Sequence, residues 1–471
     1  FLNGGQFPDD GGSVTVLGGG SVIAADAPGP VTEWLTRVGS GEITGGLYAR
    51  GEGYGAVPTH WGAVYSQFGN GFAAFGGGDL RVNVAGDLRN LVLATPTTGR
   101  SLDGVVVDSS DGLLTFLPSQ RTTEVLGGGS LDVRAGGALA GGQIVVGRGS
   151  GVVRTGGDTG AAGAPQLYVG GDARIDWLAG RNLKLGGLQD PTIAALSESQ
   201  LAMLSQFSNI STTAGIDNRF FTYGNEAGVT LGSLGGNVTL DGPGFGGFLP
   251  PSLAAVAFGG DVNVVATPLE FFPSPVGQLE LLARDSVVGN FIGSTETRLR
   301  QSGQERASLP SVDRPDISFG EAIPARLPVH AGDPTPNLIV ARDGSIQSSP
   351  GKAGFWTIQL AKKSIFLAGT DISNLAVRVQ NIATNDLTSF QAGRDIVQGE
   401  LRDNTGRFDP NDRRIFEIWG PGSAEFVAGR NISLGTSAGI ESIGNTRNPA
   451  LSAEGSSLRL LAGTGGDPAW D

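Results

Sequence analysis

Val84-Ala85-Gly86-Asp87-Leu88 is a phrase that this chain repeats. It reads apolar, Ala or Gly, Gly, often one further residue, Asp or Asn, and then apolar again. It recurs at Val169-Gly170-Gly171-Asp172-Ala173, Leu178-Ala179-Gly180-Arg181-Asn182-Leu183 and Phe258-Gly259-Gly260-Asp261-Val262. It returns at Leu367-Ala368-Gly369-Thr370-Asp371-Ile372, Ala392-Gly393-Arg394-Asp395-Ile396 and Val427-Ala428-Gly429-Arg430-Asn431-Ile432. Repetition on this scale points to a stacked, quasi-one-dimensional architecture. Gly and Asp/Asn tolerate positive φ, so each phrase reads as a sharp corner.

The flanking residues alternate. Leu80, Val82 and Val84 point one way, and Arg81 and Asn83 the other. Leu183/Leu185 against Lys184 and Val238/Leu240 against Thr239 repeat the pattern, which places one apolar face inward on each strand. Asp79 and Asp87 are 8 residues apart, Asp172 and Asn182 10, and Asp371 and Asp395 24. Strands of about 5 residues plus a corner fit the short interval, and two or three of them make a coil of roughly 20–25 residues. The expected fold is all-β: a parallel β-helix, flattened or triangular in section. About 15 coils rising ~4.8 Å each would give a rod of roughly 70 Å. An antiparallel sandwich is the competitor. It would place Asn-Gly turns between the runs, but Asn3-Gly4 and Asn70-Gly71 do not recur at the corners.

Three regions break the rhythm. Residues 1–65 hold leading coils (Gly11–Val16, Gly18–Ala25) and an irregular segment through Gly51–Trp61; regular coils follow over 66–187. Residues 188–228 carry a helix signal: Asp190 as N-cap, Pro191 at the first position, and Ile193, Leu196, Leu201, Leu204 and Phe207 largely on one side. Coils resume over 229–267. Residues 268–335 form a Pro-rich excursion, read as an insertion looped out from the helix, a place where repeat proteins often bind. Coils return over 336–471, with a charged loop near 399–414.

Glycine accounts for 79 of the 471 residues without collagen spacing, and charged residues for only 16%, as suits short strands and tight turns. Cysteine is absent, so neither a disulfide nor a thiolate site holds the fold. That fits a long exported bacterial chain rather than a small disulfide scaffold. The net charge of −13 disfavours nucleic acid and anionic membrane surfaces as partners. No stretch reaches the ~18 apolar residues of a bilayer span. The chain opens on Phe1 with no visible signal peptide, which reads as an internal piece of something longer.

Catalytic patterns are thin, and no catalytic, cofactor or metal residue is assigned. The two histidines, His60 and His330, are far apart in sequence and read as loop residues unless folding pairs one with a carboxylate. Gly76-Gly77-Gly78-Asp79-Leu80 approaches the calcium-binding nonapeptide but does not run in tandem. Asp103, Asp108 and Asp111 after Arg100 are the best carboxylates for a polysaccharide-cleaving groove, though a solvated turn explains them more simply. The aromatic groups Trp61/Tyr65/Phe68/Phe72/Phe75, Phe220/Phe221/Tyr223 and Phe271/Phe272 suit either a sugar-stacking surface or, more simply, the packing of an insertion onto the coil.

A set of longer matches is more specific than the corner phrase. It includes Gly76-Gly77-Gly78-Asp79-Leu80, Pro96-Thr97-Thr98-Gly99-Arg100, Gly141-Gly142-Gln143-Ile144-Val145-Val146-Gly147-Arg148-Gly149 and Phe220-Phe221-Thr222-Tyr223-Gly224. Phe272-Pro273-Ser274-Pro275-Val276-Gly277-Gln278-Leu279, His330-Ala331-Gly332-Asp333 and Gly444-Asn445-Thr446-Arg447-Asn448-Pro449-Ala450-Leu451 extend it. Over about residues 60–465 the chain resembles the C-proximal region of filamentous-haemagglutinin-like exoproteins of bacterial two-partner secretion systems. The resemblance implies a right-handed β-helix, export through an outer-membrane transporter, and display or release at the cell surface. It implies adhesion, cell contact or biofilm cohesion through a host or bacterial receptor or glycan, and it carries no catalytic motif. The expected role is a non-catalytic shaft, with end-to-end self-association into filaments as an extension. A glycan-active β-helix enzyme and a delivery stalk for a C-terminal effector are the alternatives.

Overall fold

A computed structural model describes residues 5–38, 60–101, 106–108, 113–115, 123–196, 220–245, 247–265, 268–289, 297–302, 309, 311–312, 327–349, 355–400, 414–444 and 452–465. The alternation read at Leu80–Val84 becomes one rung of a 13-stranded sheet, here the long sheet, running from Val14–Gly18 to Ser457–Leu461. All of its pairings are parallel. Twelve strand spacings make it ~58 Å long. Every strand therefore belongs to a different turn of the chain, and the fold is a parallel β-helix.

Each coil has three sides. After the corner phrase, the chain enters a second side of short strands such as Leu88–Arg89, Val238–Gly244 and Ile396–Val397. The third side holds Val92–Thr95 and Gln143–Val146 in the early coils and a seven-stranded sheet from Phe248–Leu249 to Gly439–Ile443 in the later ones. Leu183–Gln189 serves both sides. Its first half pairs with Val238–Leu240 and its second with Gln166–Tyr168. The sandwich alternative is thereby excluded, because among the described residues antiparallel pairing is confined to short strands within 35–127 and one bridge from Gln6 to Ala63.

Inward rows fill the coil from end to end. Leu80, Val82 and Val84, like Ile175, Trp177 and Ala179, are at most 2% exposed. Phe366, Phe390 and Phe426 sit at matched register positions, and their rings stack at 4.5 Å centroid spacing. That spacing matches the strand pitch, so identical side chains on successive coils meet face to face.

The corner phrase works differently from the expectation. None of the corner Asp or Asn residues has positive φ; among the described non-glycine residues only Asn70, Asn90 and Asn374 do. Each side-chain oxygen instead accepts the backbone N–H of its counterpart one coil later. Asp158 serves Asn182 (3.1 Å), Asn182 serves Asn237 (3.0 Å), and Asn237 serves Asp261 (2.8 Å). The line continues through Ser286, Ser345, Asp371 and Asp395 to Asn431. The corner glycines mostly keep ordinary φ as well; what they supply is room. A Cβ on Gly393 would lie 2.3 Å from the Gly369 carbonyl oxygen, and one on Gly429 2.1 Å from that of Gly393. Stacking at strand pitch leaves no space there for a side chain.

Six of the twelve steps along the long sheet span 20–27 residues. The other six span 34–66 and carry side excursions. The first two excursions together form an antiparallel sheet from Leu35–Val38, His60–Ala63, Thr97–Ser101 and Thr123–Gly127. It covers the outer face of the third side in a separate core of Trp34, Trp61, Val92, Val145, Tyr168 and Phe220. The Thr97–Gly127 part lies inside the stretch expected to be regular coils.

Two other expectations change. The anticipated helix reduces, among the described residues, to a single 3-10 turn, Pro191–Ile193, capped by Asp190 and ended at Ala194, whose ψ is 147°. Leu201, Leu204 and Phe207 lie outside the described residues. The excursion expected over 268–335 begins later, because Leu269–Phe271, Leu279–Ala283, Val287–Gly289 and Thr297–Arg300 are rungs of the three sides. Among the described residues, no helix is long and apolar enough to cross a membrane.

Candidate functional site

The residues singled out in the sequence do not converge. Asp103 and Asp111 lie outside the described residues, and Asp108 ends a short strand paired with Leu113–Thr115. Arg100 is held 2.7 Å from Glu124, directly across the antiparallel pair. Asp79 is a corner rung: its Oδ1 accepts the Ser130 N–H at 2.8 Å. Among the described residues no three His, Cys, Asp or Glu side chains group to hold a metal. The aromatic clusters pack rather than present a platform. Trp61, Phe220, Phe221, Tyr223 and Phe271 are at most 4% exposed, and Phe68 meets Trp34 and Phe75 edge-on. His60 sits in the strand paired with Leu35–Val38.

The structure pairs His330 with a carboxylate, which the sequence left open. The chain turns at Pro328–Asp333, with the Ala331 and Asp333 N–H groups donating to Pro328 and His330 carbonyls at 3.1 Å each. This turn brings Asp333 over the corner that carries Lys362. The Lys362 ammonium donates to Asp333 Oδ2 at 2.6 Å and to Gln278 Oε1 at 2.8 Å. His330 Nδ1 lies 3.5 Å from the same carboxylate oxygen. Both His330 and Lys362 are 2% exposed. Gln278 also donates to the Pro336 carbonyl, and Asn337 and Gln301 bond each other below it.

Burial sets the electrostatics here. It lowers the His330 pKa from 6.5 to about 4, and the Lys362 charge pushes the same way against Asp333. Burial also lowers Lys362, opposed by its bond to Asp333. Burial alone would raise Asp333, but the Lys362 and Thr335 bonds outweigh it and hold the carboxyl below its ordinary value. The imidazole is therefore neutral at pH 7 beside a charged pair. With all three groups so enclosed, the cluster acts as a clasp that fixes the returning limb of the excursion onto the coils.

Asp190 is a second clasp. It is fully buried and accepts from Thr192 N (3.0 Å), Thr192 Oγ1 (2.6 Å), Thr222 N (2.5 Å) and Thr222 Oγ1 (2.8 Å). Burial raises its pKa in spite of these four bonds. The two ends of the 190–222 excursion are thus tied to one carboxyl. The Asp190 cap on Thr192 was legible as an N-cap, but the long-range half of each clasp was not, because those partners are 29–84 residues apart.

An open cleft of about 750 Å³ lies at the corner where the ladder passes Asp158, Asn182 and Asn237. The 159–164 and 241–243 turns flank it, and Lys184, ion-paired with Asp241 at 2.5 Å, and Thr239 line it. Amide, hydroxyl and carboxylate groups at a regular pitch suit a polar, hydroxyl-bearing ligand. On the outer face of the long sheet, Asp176 and Glu280 are three strand spacings apart. That is ~14 Å, beyond the reach of a paired-carboxylate glycosidase. Compared with known protein families, with curated proteins and with solved structures, the chain matches none.

Proposed function

We propose that this chain is the non-catalytic β-helical shaft of a secreted bacterial surface adhesin or filament, serving attachment, cell contact or biofilm cohesion. The observation that carries the reading is the unbroken 13-stranded ladder with excursions clasped to its sides. An axial stack gives reach, and rigidly anchored side excursions are where a repeat scaffold varies its contacts. The sequence resemblance to filamentous-haemagglutinin-like exoproteins adds export through an outer-membrane transporter. The polar corner cleft supplies a surface for a glycan or a receptor.

The test compares the whole chain with a variant in which residues 303–326 are replaced by a short Gly-Ser linker. Binding to bacterial and epithelial cells and to a glycan array is measured, together with small-angle scattering. The expected result is a rod-like particle in both proteins and reduced binding in the variant. Depolymerisation of an acidic polysaccharide by the intact chain, read as falling viscosity, would overturn the shaft reading in favour of the enzyme.

A further inference from the structure

The outward-pointing side chains of the long sheet change character along the stack. One row reads Leu178, Gly232, Val256, Leu282, Val340 and Leu367 on six consecutive strands, in register. Earlier rungs of the same row are Asn83, Arg134 and Arg154, and the next one after it is Gln391. Beside the row, Leu234 is 53% and Phe258 59% exposed, and Leu367 itself is 42% exposed. Outward positions of a solvated sheet are ordinarily polar. Here one row is apolar over five spacings, ~24 Å, and bounded by charge at the early end, while the outward row beside it runs Asp176, Thr230, Ala254, Glu280, Leu338 and Ile365.

We propose that this face is the interface of a homodimer in which two copies pack sheet against sheet with their long axes opposed. An apolar stripe flanked by polar and charged groups, Asp176 and Glu280 beside it and Arg81 and Glu425 towards its ends, suits such a contact. From the Leu80–Val84 strand to the Ser423–Ala428 strand there are ten spacings, ~48 Å, and a five-residue strand is ~17 Å wide. The product is ~800 Å² per copy, the area of a standard stable interface.

The occupant follows from pitch and charge. A second copy presents its own apolar rows at the same ~4.8 Å repeat, which a globular partner does not. A two-fold axis along Ser252–Ala257 lays each strand over the one equally far on the other side. Leu282 then falls over Gly232, where there is no side chain to meet it. Arg81, 57% exposed, falls over Glu425 of the second copy, at the same row position. The inference needs only the sheet and is independent of adhesion.

Sedimentation velocity of the full chain from about 1 to 100 µM tests it. The expected result is a concentration-dependent dimer. Leu282→Asp and, separately, Val256→Asp weaken it by about 100-fold or more, with circular dichroism and melting unchanged because both side chains point outward. Arg81→Glu or Glu425→Arg alone weakens it by about 10-fold, and the double exchange restores it. A monomer at every concentration overturns the proposal. So does a dimer that survives both Asp variants while they remain folded, or a double exchange that restores nothing.

Discussion

Acid should loosen the His330 clasp before it unfolds the coils. The imidazole has a pKa of about 4 when docked, against 6.5 when free. Between those values the undocked state binds more protons, so stability is full above pH 6.5 and falls as pH drops towards 4. The complete difference is about 3 kcal/mol. At pH 5 the loss is about 2 kcal/mol, an increase of about 30-fold in the open population relative to pH 7.5. Asp333, whose carboxyl is held below its ordinary value, loses its share only at lower pH. Hydrogen exchange at the Ala331 and Asp333 amides, corrected for intrinsic rates, reads this opening locally. His330→Gln removes the titrating group and should flatten the profile between pH 7.5 and 5. If wild type and His330→Gln show the same pH dependence over that range, the reasoning is refuted.

Three further outcomes follow from the coil. Asp395→Ala removes the acceptor for the Asn431 amide, and should cost about 1 kcal/mol, seen as lost protection at Asn431; Asp395→Asn keeps an acceptor and should cost less. Gly393→Ala should cost about 1–3 kcal/mol by thermal melting, because its Cβ meets the Gly369 carbonyl. Gly332→Ala, with φ +82° and open space around it, should cost only about 1 kcal/mol, and the reverse order would refute the account of the corner glycines. Phe390→Ala breaks the ring stack on both sides and should destabilise by about 3–5 kcal/mol, with loss of near-ultraviolet dichroism.

The coil was legible because its determinants are local. Alternation at Leu80–Val84 and the 24-residue interval from Asp371 to Asp395 gave strand, corner and pitch, and the pitch recurs in the regular steps. The role of the corner residues was not legible. Positive φ and close approach both select Gly, and a turn residue and a ladder acceptor are both Asp or Asn; only the neighbouring coil distinguishes them. The Thr97–Ser101 and Thr123–Gly127 pair was missed because 21 residues separate its strands, with no hairpin turn signal. The long-range halves of the clasps were invisible for the same reason. Lys362 reaches Gln278 across 84 residues, and no pattern in the chain marks that meeting.

The corner ladder also has a direction. Along the line from Asp158 to Asn431, the accepting side-chain oxygen belongs to the earlier coil and the donating amide to the later one. A stack that has formed up to Asp371 therefore already displays the side-chain oxygen that the Asp395 amide will seek, whereas a stack begun at the far end displays the Asp395 amide and the Asp395 carbonyl that accepts from Ile372. Each new turn laid on a stack begun at the amino-terminal side therefore lands on a side-chain acceptor as well as on the backbone, so a single landing fixes both the corner and the strand that follows it.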